Sequence, residues 1–163
     1  MADEDLYDLA RQAGLALAGS GLRLVTAESC TGGWVAECVT DVPGSSEWFD
    51  RGFVTYSNAA KTELLGVAPG LIEAHGAVSE AVVRAMAAGA LRHSPAQVAV
   101  AVSGIAGPSG GTPGKPVGTV WFAWQRRGQD CRVRLERFDG ERRSVRRQAV
   151  AVALEGVRDA CGG

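Results

Sequence analysis

Apolar positions along the chain follow two rhythms. Residues 3–19 set Leu6, Leu9, Ala10, Ala13 and Leu17 at the spacing of one helix face, which closes near Gly19 or Gly21. The run LRLVTA then predicts a short strand, and a second helical period opens at about Thr31 and stops before Pro43 and Gly44. GFVTYS, residues 52–57, predicts another strand, after which Asn58 is placed to cap a helix over AAKTELLG. PGLIEAHG reads as a short helix. Ser79 is the expected cap of residues 80–93, where Val82, Val83, Met86, Ala90 and Leu91 make a broad apolar face.

The second half returns to strands. QVAVAVSG predicts a largely buried one that leads into the loop GIAGPSGGTPGKP. VGTVWFAW and CRVRLERF follow as strands linked by QRRGQD, a hairpin arrangement, and VRRQAVAVALEGV closes the chain as a helix. Strands and helices in this order predict a three-layer α/β/α sandwich around a mixed sheet. At 163 residues the chain suits one domain, with a flexible tail expected at 161–163.

Composition narrows the class. Apolar content of 46% with only 6% aromatic residues implies a core of valine, leucine and alanine. The acidic, helical N-terminal segment argues against a signal peptide, and no apolar run approaches the roughly 18 residues of a membrane span. A cytoplasmic protein without membrane contact is the expectation. The four cysteines, 30, 38, 131 and 161, have neither a CxxC pair nor a zinc pattern, so no metal site is expected.

The formal charge of −1 hides a bias. Residues 1–60 hold nine acids against three bases, whereas residues 126–147 hold nine arginines against four acids. Guanidinium groups on a strand and a helix suit one small phosphate or neighbouring carboxylates, and nucleic acid is not the expected partner.

Candidate chemistry begins at TAESCTGGW, residues 26–34. A strand ending at Ala27 and a helix from Thr31 would put Glu28, Ser29 and Cys30 at a strand-to-helix corner, where unpaired amides face developing negative charge. Ser29 or Cys30 would serve as nucleophile there. The competing reading makes Ser29 and Thr31 helix caps, with Gly32 and Gly33 permitting close packing. The hydrolase pattern GxSxG is absent. His75 and His93 are possible bases, and Lys61 is another if it is desolvated or sits near a helix N-terminus, as its predicted position suggests. Tyr56, five residues earlier, could orient that lysine through its hydroxyl.

The glycine-rich loop has the flexibility to wrap a ligand, with Ser109 and Thr112 as hydrogen-bonding groups. It is not a phosphate-binding P-loop, because Ser109 holds the first glycine position and Pro116 follows Lys115. No Rossmann GxGxxG is present either. Arg142 and Arg146 fall on one helix face, with Arg143 and Arg147 offset from them.

Taken in order, TAESCTGGWVAECVTDVPGSSEWFDRGFVTYSNAAKTELLGV, HGAVSE, AVSGIAGPSGG, KPVGTVWFAW and FDGERRSVRRQAVAVAL resemble the CinA carboxy-terminal domain family in its free-standing nicotinamide-nucleotide amidase form. The resemblance spans nearly all of residues 1–163. It implies hydrolysis of the carboxamide of nicotinamide mononucleotide to nicotinic acid mononucleotide and ammonia, with no metal or organic cofactor, by a homodimer. It also implies Ser29 as nucleophile, Lys61 as base and Tyr56 as a supporting polar residue, with backbone amides of Cys30, Thr31, Gly32 and Gly33 around the oxyanion. Substrate contacts are implied at Thr31, Asn58, Gly107, Gly110, Gly111, Arg142 and Arg146. Three positions depart from the family pattern: Ser109 for the aspartate of GPDGG, Glu141 for the aspartate of a GDR-like motif, and Ala149 for threonine. An amidase for another small phosphorylated amide, or a nucleotide-binding or assembly domain without catalysis, are the alternatives.

Overall fold

The computed structural model describes residues 3–162, with side chains from residue 5. In chain order the elements are α1 (Asp3–Gly19), β1 (Leu24–Glu28), α2 (Trp34–Thr40), a 3-10 turn at Ser45–Glu47, β2 (Phe49–Val54), α3 (Asn58–Leu65), α4 (Pro69–His75) and α5 (Glu80–Arg92). β3 (Val98–Gly104), β4 (Thr119–Arg126), β5 (Arg132–Arg137) and α6 (Arg142–Cys161) complete the fold. The five strands lie in the order β2-β1-β3-β4-β5. β1 runs parallel to both β2 and β3, and β4 is antiparallel to β3 and β5. The sheet is mixed and helices cover both faces, as the alternation of elements predicts.

The pleat sorts side chains of different size to the two faces. Leu24 with Val98, Val100 and Val102 packs under α1, α2 and α6, whereas Val25 and Ala27 with Ala99 and Ala101 pack under α5. Successive strand residues point to opposite faces, so an all-apolar strand such as β3 still reads as valine on one side and alanine on the other. The alanine face lets α5 approach the sheet closely.

Parallel strands β1, β2 and β3 all end at one edge. The helix after β1 crosses one face and the helices after β2 cross the other, which makes this edge the crevice where open α/β sheets bind ligands. The loop from β3 to β4 and the start of α6 return to the same edge, since Gly104 pairs with Val120 and Thr119 with Arg137.

Several boundaries differ from the sequence expectation. β2 starts earlier and ends at Val54, leaving Thr55, Tyr56 and Ser57 as a connection. Ser57 rather than Asn58 caps α3, accepting from Ala60 N at 3.0 Å, because its backbone is still extended where Asn58 is already helical. Ser79 does cap α5. The flexible tail expected at 161–163 falls partly outside the described residues. Cys161 is the last residue of α6, buried, with its thiol donating to Val157 O at 3.3 Å, and Gly163 lies outside the described residues. No helix among the described residues is long and apolar enough to cross a membrane.

α3 is held in place partly by a close approach of α5. A Cβ added at Gly89 would run into the Leu65 carbonyl at the end of α3. Gly89→Ala is therefore expected to destabilise the protein by about 1–3 kcal/mol through overpacking, seen as a lower urea midpoint with an unchanged slope. An unaltered midpoint would show that α3 can retreat freely from α5.

Candidate active site

Alternation along β1 aims three consecutive residues at three different tasks. Glu28 lies on the face shared with α2, Ser29 on the face shared with α3, and Cys30 returns to the core under α1, α2 and α6. Ser29 N donates to Val102 O at 3.0 Å, so the chain keeps its strand direction one residue past β1.

Glu28 is almost fully buried and organises the corner. Its carboxylate accepts from Thr31 Oγ1 at 2.6 Å, Val35 N at 2.9 Å and Ala36 N at 3.0 Å. These are the orphan amides of the first turn of α2, whose own cap position, Gly33, offers no side chain. Burial pushes the Glu28 carboxyl above the usual range, with these donors pulling the other way. Ser29 and Thr31 are thus not the caps of α2, and the Ser29 hydroxyl is left free for other use.

That hydroxyl meets Lys61. Lys61 Nζ is 2.9 Å from Ser29 Oγ, 3.0 Å from Thr55 O and 3.3 Å from Tyr56 O, and only 1% of the residue is exposed. All three partners are uncharged. Desolvation lowers the Lys61 pKa from its ordinary value, with a small opposing effect of the Cys30 thiol. Burial, one of the two causes expected from the sequence, is the largest.

Cys30 presents the opposite case. Its side chain is 5% exposed and points at Gly104, where an added Cβ would lie 3.1 Å from the sulfur. Burial, reinforced by Glu28, pushes the thiol up to about 11. It is protonated at neutral pH and packs in the core under α1, α2 and α6.

A cavity of about 320 Å³ opens over the pair. Ser29, Cys30, Tyr56, Asn58, Lys61, Gly107, Ser109, Gly110 and Arg142 all line it, which brings together most of the residues expected from the sequence. Tyr56 takes part differently from expectation. Its carbonyl, not its hydroxyl, contacts Lys61, while the exposed phenol accepts from Arg142 Nη2 at 3.1 Å. Arg142 Nη1 also donates to Gly107 O at 2.7 Å, so the guanidinium ties the glycine-rich loop to the cavity mouth.

Five of the expected residues fall elsewhere. Thr31 is fully buried with its hydroxyl on Glu28, and Gly111 packs against Val117. Gly32 N already donates to Ser29 O at 3.0 Å, and the Gly33 amide leans on the Glu28 carboxylate. Arg146 turns to the back of the corner, donating from Nε to Cys30 O at 3.0 Å and from Nη2 to Thr31 O at 3.3 Å. His75 and His93 do not line the cavity, and His93 Nδ1 lies 2.8 Å from Gly89 O. Among the described residues, no group of three or more His, Cys, Asp or Glu side chains is placed to hold a metal ion.

Sequence reasoning missed the wall formed by Ala77, Val78 and Ser103. Ser103 Oγ donates to Ala77 O at 2.9 Å, joining the end of β3 to the loop before α5. Ala77 and Val78 carry no side-chain chemistry that would have singled them out. Of the three departures from the family pattern, Ser109 lines the cavity, whereas Ala149 is buried in the core under α6 and Glu141 precedes that helix without a side-chain cap bond.

Both the sequence and the fold match known proteins. A family model described as the CinA C-terminal domain matches residues 6–161. The nicotinamide-nucleotide amidohydrolase PncC of Escherichia coli K12 is 55% identical over 155 residues, spanning 95% of this chain and 94% of that protein. Its namesake in Pseudomonas putida is 56% identical over 156 residues, with 94% and 96% covered. The crystal structure of the competence/damage inducible protein CihA from Agrobacterium tumefaciens superposes with a TM-score of 0.93 at 43% identity, over 98% of this chain and 96% of that one.

The contrast between Ser29 and Cys30 is directly measurable. Iodoacetamide at pH 8 is expected to leave Cys30 unmodified in the folded protein and to alkylate it once urea has unfolded the chain, with peptide mass spectrometry locating the label. Equal alkylation in both states would place the thiol in the open cavity and reverse the assignment.

Proposed function

The chain belongs to the CinA C-terminal domain family, and from that membership we propose that it is a nicotinamide-nucleotide amidohydrolase, converting nicotinamide mononucleotide and water to nicotinic acid mononucleotide and ammonia. The observation that carries the reading is the buried Lys61 amine 2.9 Å from Ser29 Oγ with no charged hydrogen-bond partner. A neutral amine has two N–H donors and one lone pair. With the carbonyls of Thr55 and Tyr56 accepting its two N–H donors, such an amine has its lone pair available for the Ser29 proton, for which the Tyr56 carbonyl at 3.4 Å is the other acceptor.

In the proposed reaction Lys61 accepts that proton as Ser29 Oγ attacks the carboxamide carbon. Amides of Cys30 and Thr31 stabilise the oxyanion, since those of Gly32 and Gly33 are already engaged. The Lys61 ammonium then protonates the leaving nitrogen, ammonia departs and a nicotinoyl ester remains on Ser29. Water gives a proton to Lys61 as its oxygen attacks the ester carbon. Collapse of this second tetrahedral intermediate releases nicotinic acid mononucleotide and returns the proton to Ser29. Arg142 is the phosphate contact in this reading, exchanging its uncharged partners for an anion. Asn58, Gly107 and Gly110 shape the ribose and phosphate side of the cavity. A homodimer and a cytoplasmic setting belong to the same proposal.

Purified protein incubated with nicotinamide mononucleotide should release ammonia and nicotinic acid mononucleotide in equal amounts, and Ser29→Ala should lower kcat by about a thousandfold or more. Equal turnover by the two proteins would reject Ser29 as nucleophile. The pH dependence carries a second expectation. Below its pKa Lys61 is an ammonium and cannot take the proton, so kcat/KM should fall as pH drops through a value below the roughly 10.4 of a free lysine. Lys61→Arg, which stays charged, should remove activity at every pH; a pH profile shared by wild type and this variant would exclude Lys61 as the base.

A further inference from the structure

The corner that carries Ser29 is gripped by two charged groups, one from each side of its peptide planes. Glu28 takes hydrogen-bond donors, namely the Thr31 hydroxyl and the amides of Val35 and Ala36. Arg146 takes acceptors, the carbonyls of Cys30 and Thr31. Its guanidinium is held in turn over the Trp34 ring, 5.4 Å from the centroid, with Arg143 over the same ring at 4.6 Å.

A trans peptide is planar, with the carbonyl of one residue and the N–H of the next pointing in opposite directions. Fixing Cys30 O on Arg146 therefore fixes the Thr31 N–H on the side away from the guanidinium. Fixing Thr31 O likewise sends the Gly32 N–H the other way, where it donates to Ser29 O at 3.0 Å and in doing so orients the Ser29–Cys30 peptide. Arg146 thus controls the Thr31 amide directly, and it shares control of the Cys30 amide with Trp34 N, which also donates to Thr31 O at 3.0 Å. Without it the Cys30–Thr31 peptide can flip. A flipped plane would replace an N–H donor by a carbonyl oxygen, which repels the developing negative charge.

We propose that Arg146 is a positioning residue for the hydrolysis, stapling the Cys30 and Thr31 carbonyls behind the nucleophile turn so that the turn's amides face the oxyanion, and that it makes no contact with substrate. The inference rests on Ser29 acting as nucleophile. It replaces the direct substrate contact that the sequence resemblance implies for Arg146.

The staple is accessible from outside. A second cavity, of about 390 Å³, lies behind the turn and is lined by Arg146 together with Gly32, Gly33, Trp34 and Arg143. A small guanidinium ion can enter the space that Arg146→Ala would create. The two carbonyls it would meet are those the native side chain holds.

Two readouts separate this role from a general loss of structure and from failure of the functional reading. Hydrolysis of nicotinamide mononucleotide reports on turnover, and the rate at which a fluorophosphonate labels Ser29 reports on the nucleophile and oxyanion site without any carboxamide. Arg146→Ala should lose about 10- to 100-fold in both kcat and labelling rate, with KM changed by less than about threefold. Millimolar guanidinium chloride, far below denaturing concentrations, should restore a measurable part of both. Arg146→Lys, which reaches one carbonyl and keeps the charge, should fall between wild type and Arg146→Ala in both rates and carries the comparison if the alanine variant does not fold. Undiminished rates in the variants, a loss confined to KM, or a loss in folded Arg146→Ala that guanidinium leaves unchanged would each overturn the staple while leaving Ser29 in place. Wild-type protein that is not labelled at Ser29 would instead overturn the nucleophile, and the staple with it.

Discussion

A single buried amine sets the terms for the rest of the site. Burying an ammonium without a counter-ion costs several kcal/mol, while removing a proton from an ordinary lysine at neutral pH costs about 5 kcal/mol. With no carboxylate among its hydrogen-bond partners, Lys61 is pushed towards the second course. Everything around it meets the needs of a neutral amine. Two carbonyls come from the Thr55–Tyr56 connection, and that connection exists because β2 stops at Val54 while Ser57 starts α3. The hydroxyl comes from the next strand. β1 and β2 are parallel neighbours in register, with Glu28 opposite Val54, so their ends deliver Ser29 and the two carbonyls to one place.

Acidic and basic groups in the vicinity are kept off this pair by being occupied elsewhere. Glu28 precedes Ser29, yet its carboxylate is turned through the sheet and spent on the first turn of α2. Were it to face the other way it would raise the lysine's affinity for a proton and undo the effect of burial. Arg142 stays at the mouth of the cavity, bound to a carbonyl and a phenol that a phosphate can outcompete. The fold thereby separates a guanidinium at the cavity mouth from a buried amine that has only uncharged partners.

Much of this was legible in the chain. Hydrophobic rhythm located every helix and strand, and the strand-to-helix corner at Ser29 followed from LRLVTA and the helical period after it. What the periodicity could not supply was direction. Whether Ser29 or Cys30 faces the lysine depends on the phase of the pleat, and whether Arg146 faces a ligand or a backbone depends on how α6 lies against α2. Tyr56 illustrates the same gap, since a sequence displays its phenol whereas the contact with Lys61 is made by a carbonyl that every residue owns. Ala77 and Val78 form cavity wall through placement alone, and no side-chain chemistry marks them.

The alternation at the end of β1 has a consequence for how this catalytic corner tolerates change. A hydroxyl and a thiol occupy adjacent positions, and the pleat assigns one to the cavity and the other to the core. Deleting one residue within β1 would shift Cys30 into the place of Ser29, putting sulfur beside the lysine and burying oxygen. Which of the two groups faces the lysine is therefore held by strand register, and register is held by packing on both faces of a strand whose five residues are all buried. Chemical specificity at this site is, in that sense, a property of the hydrophobic core.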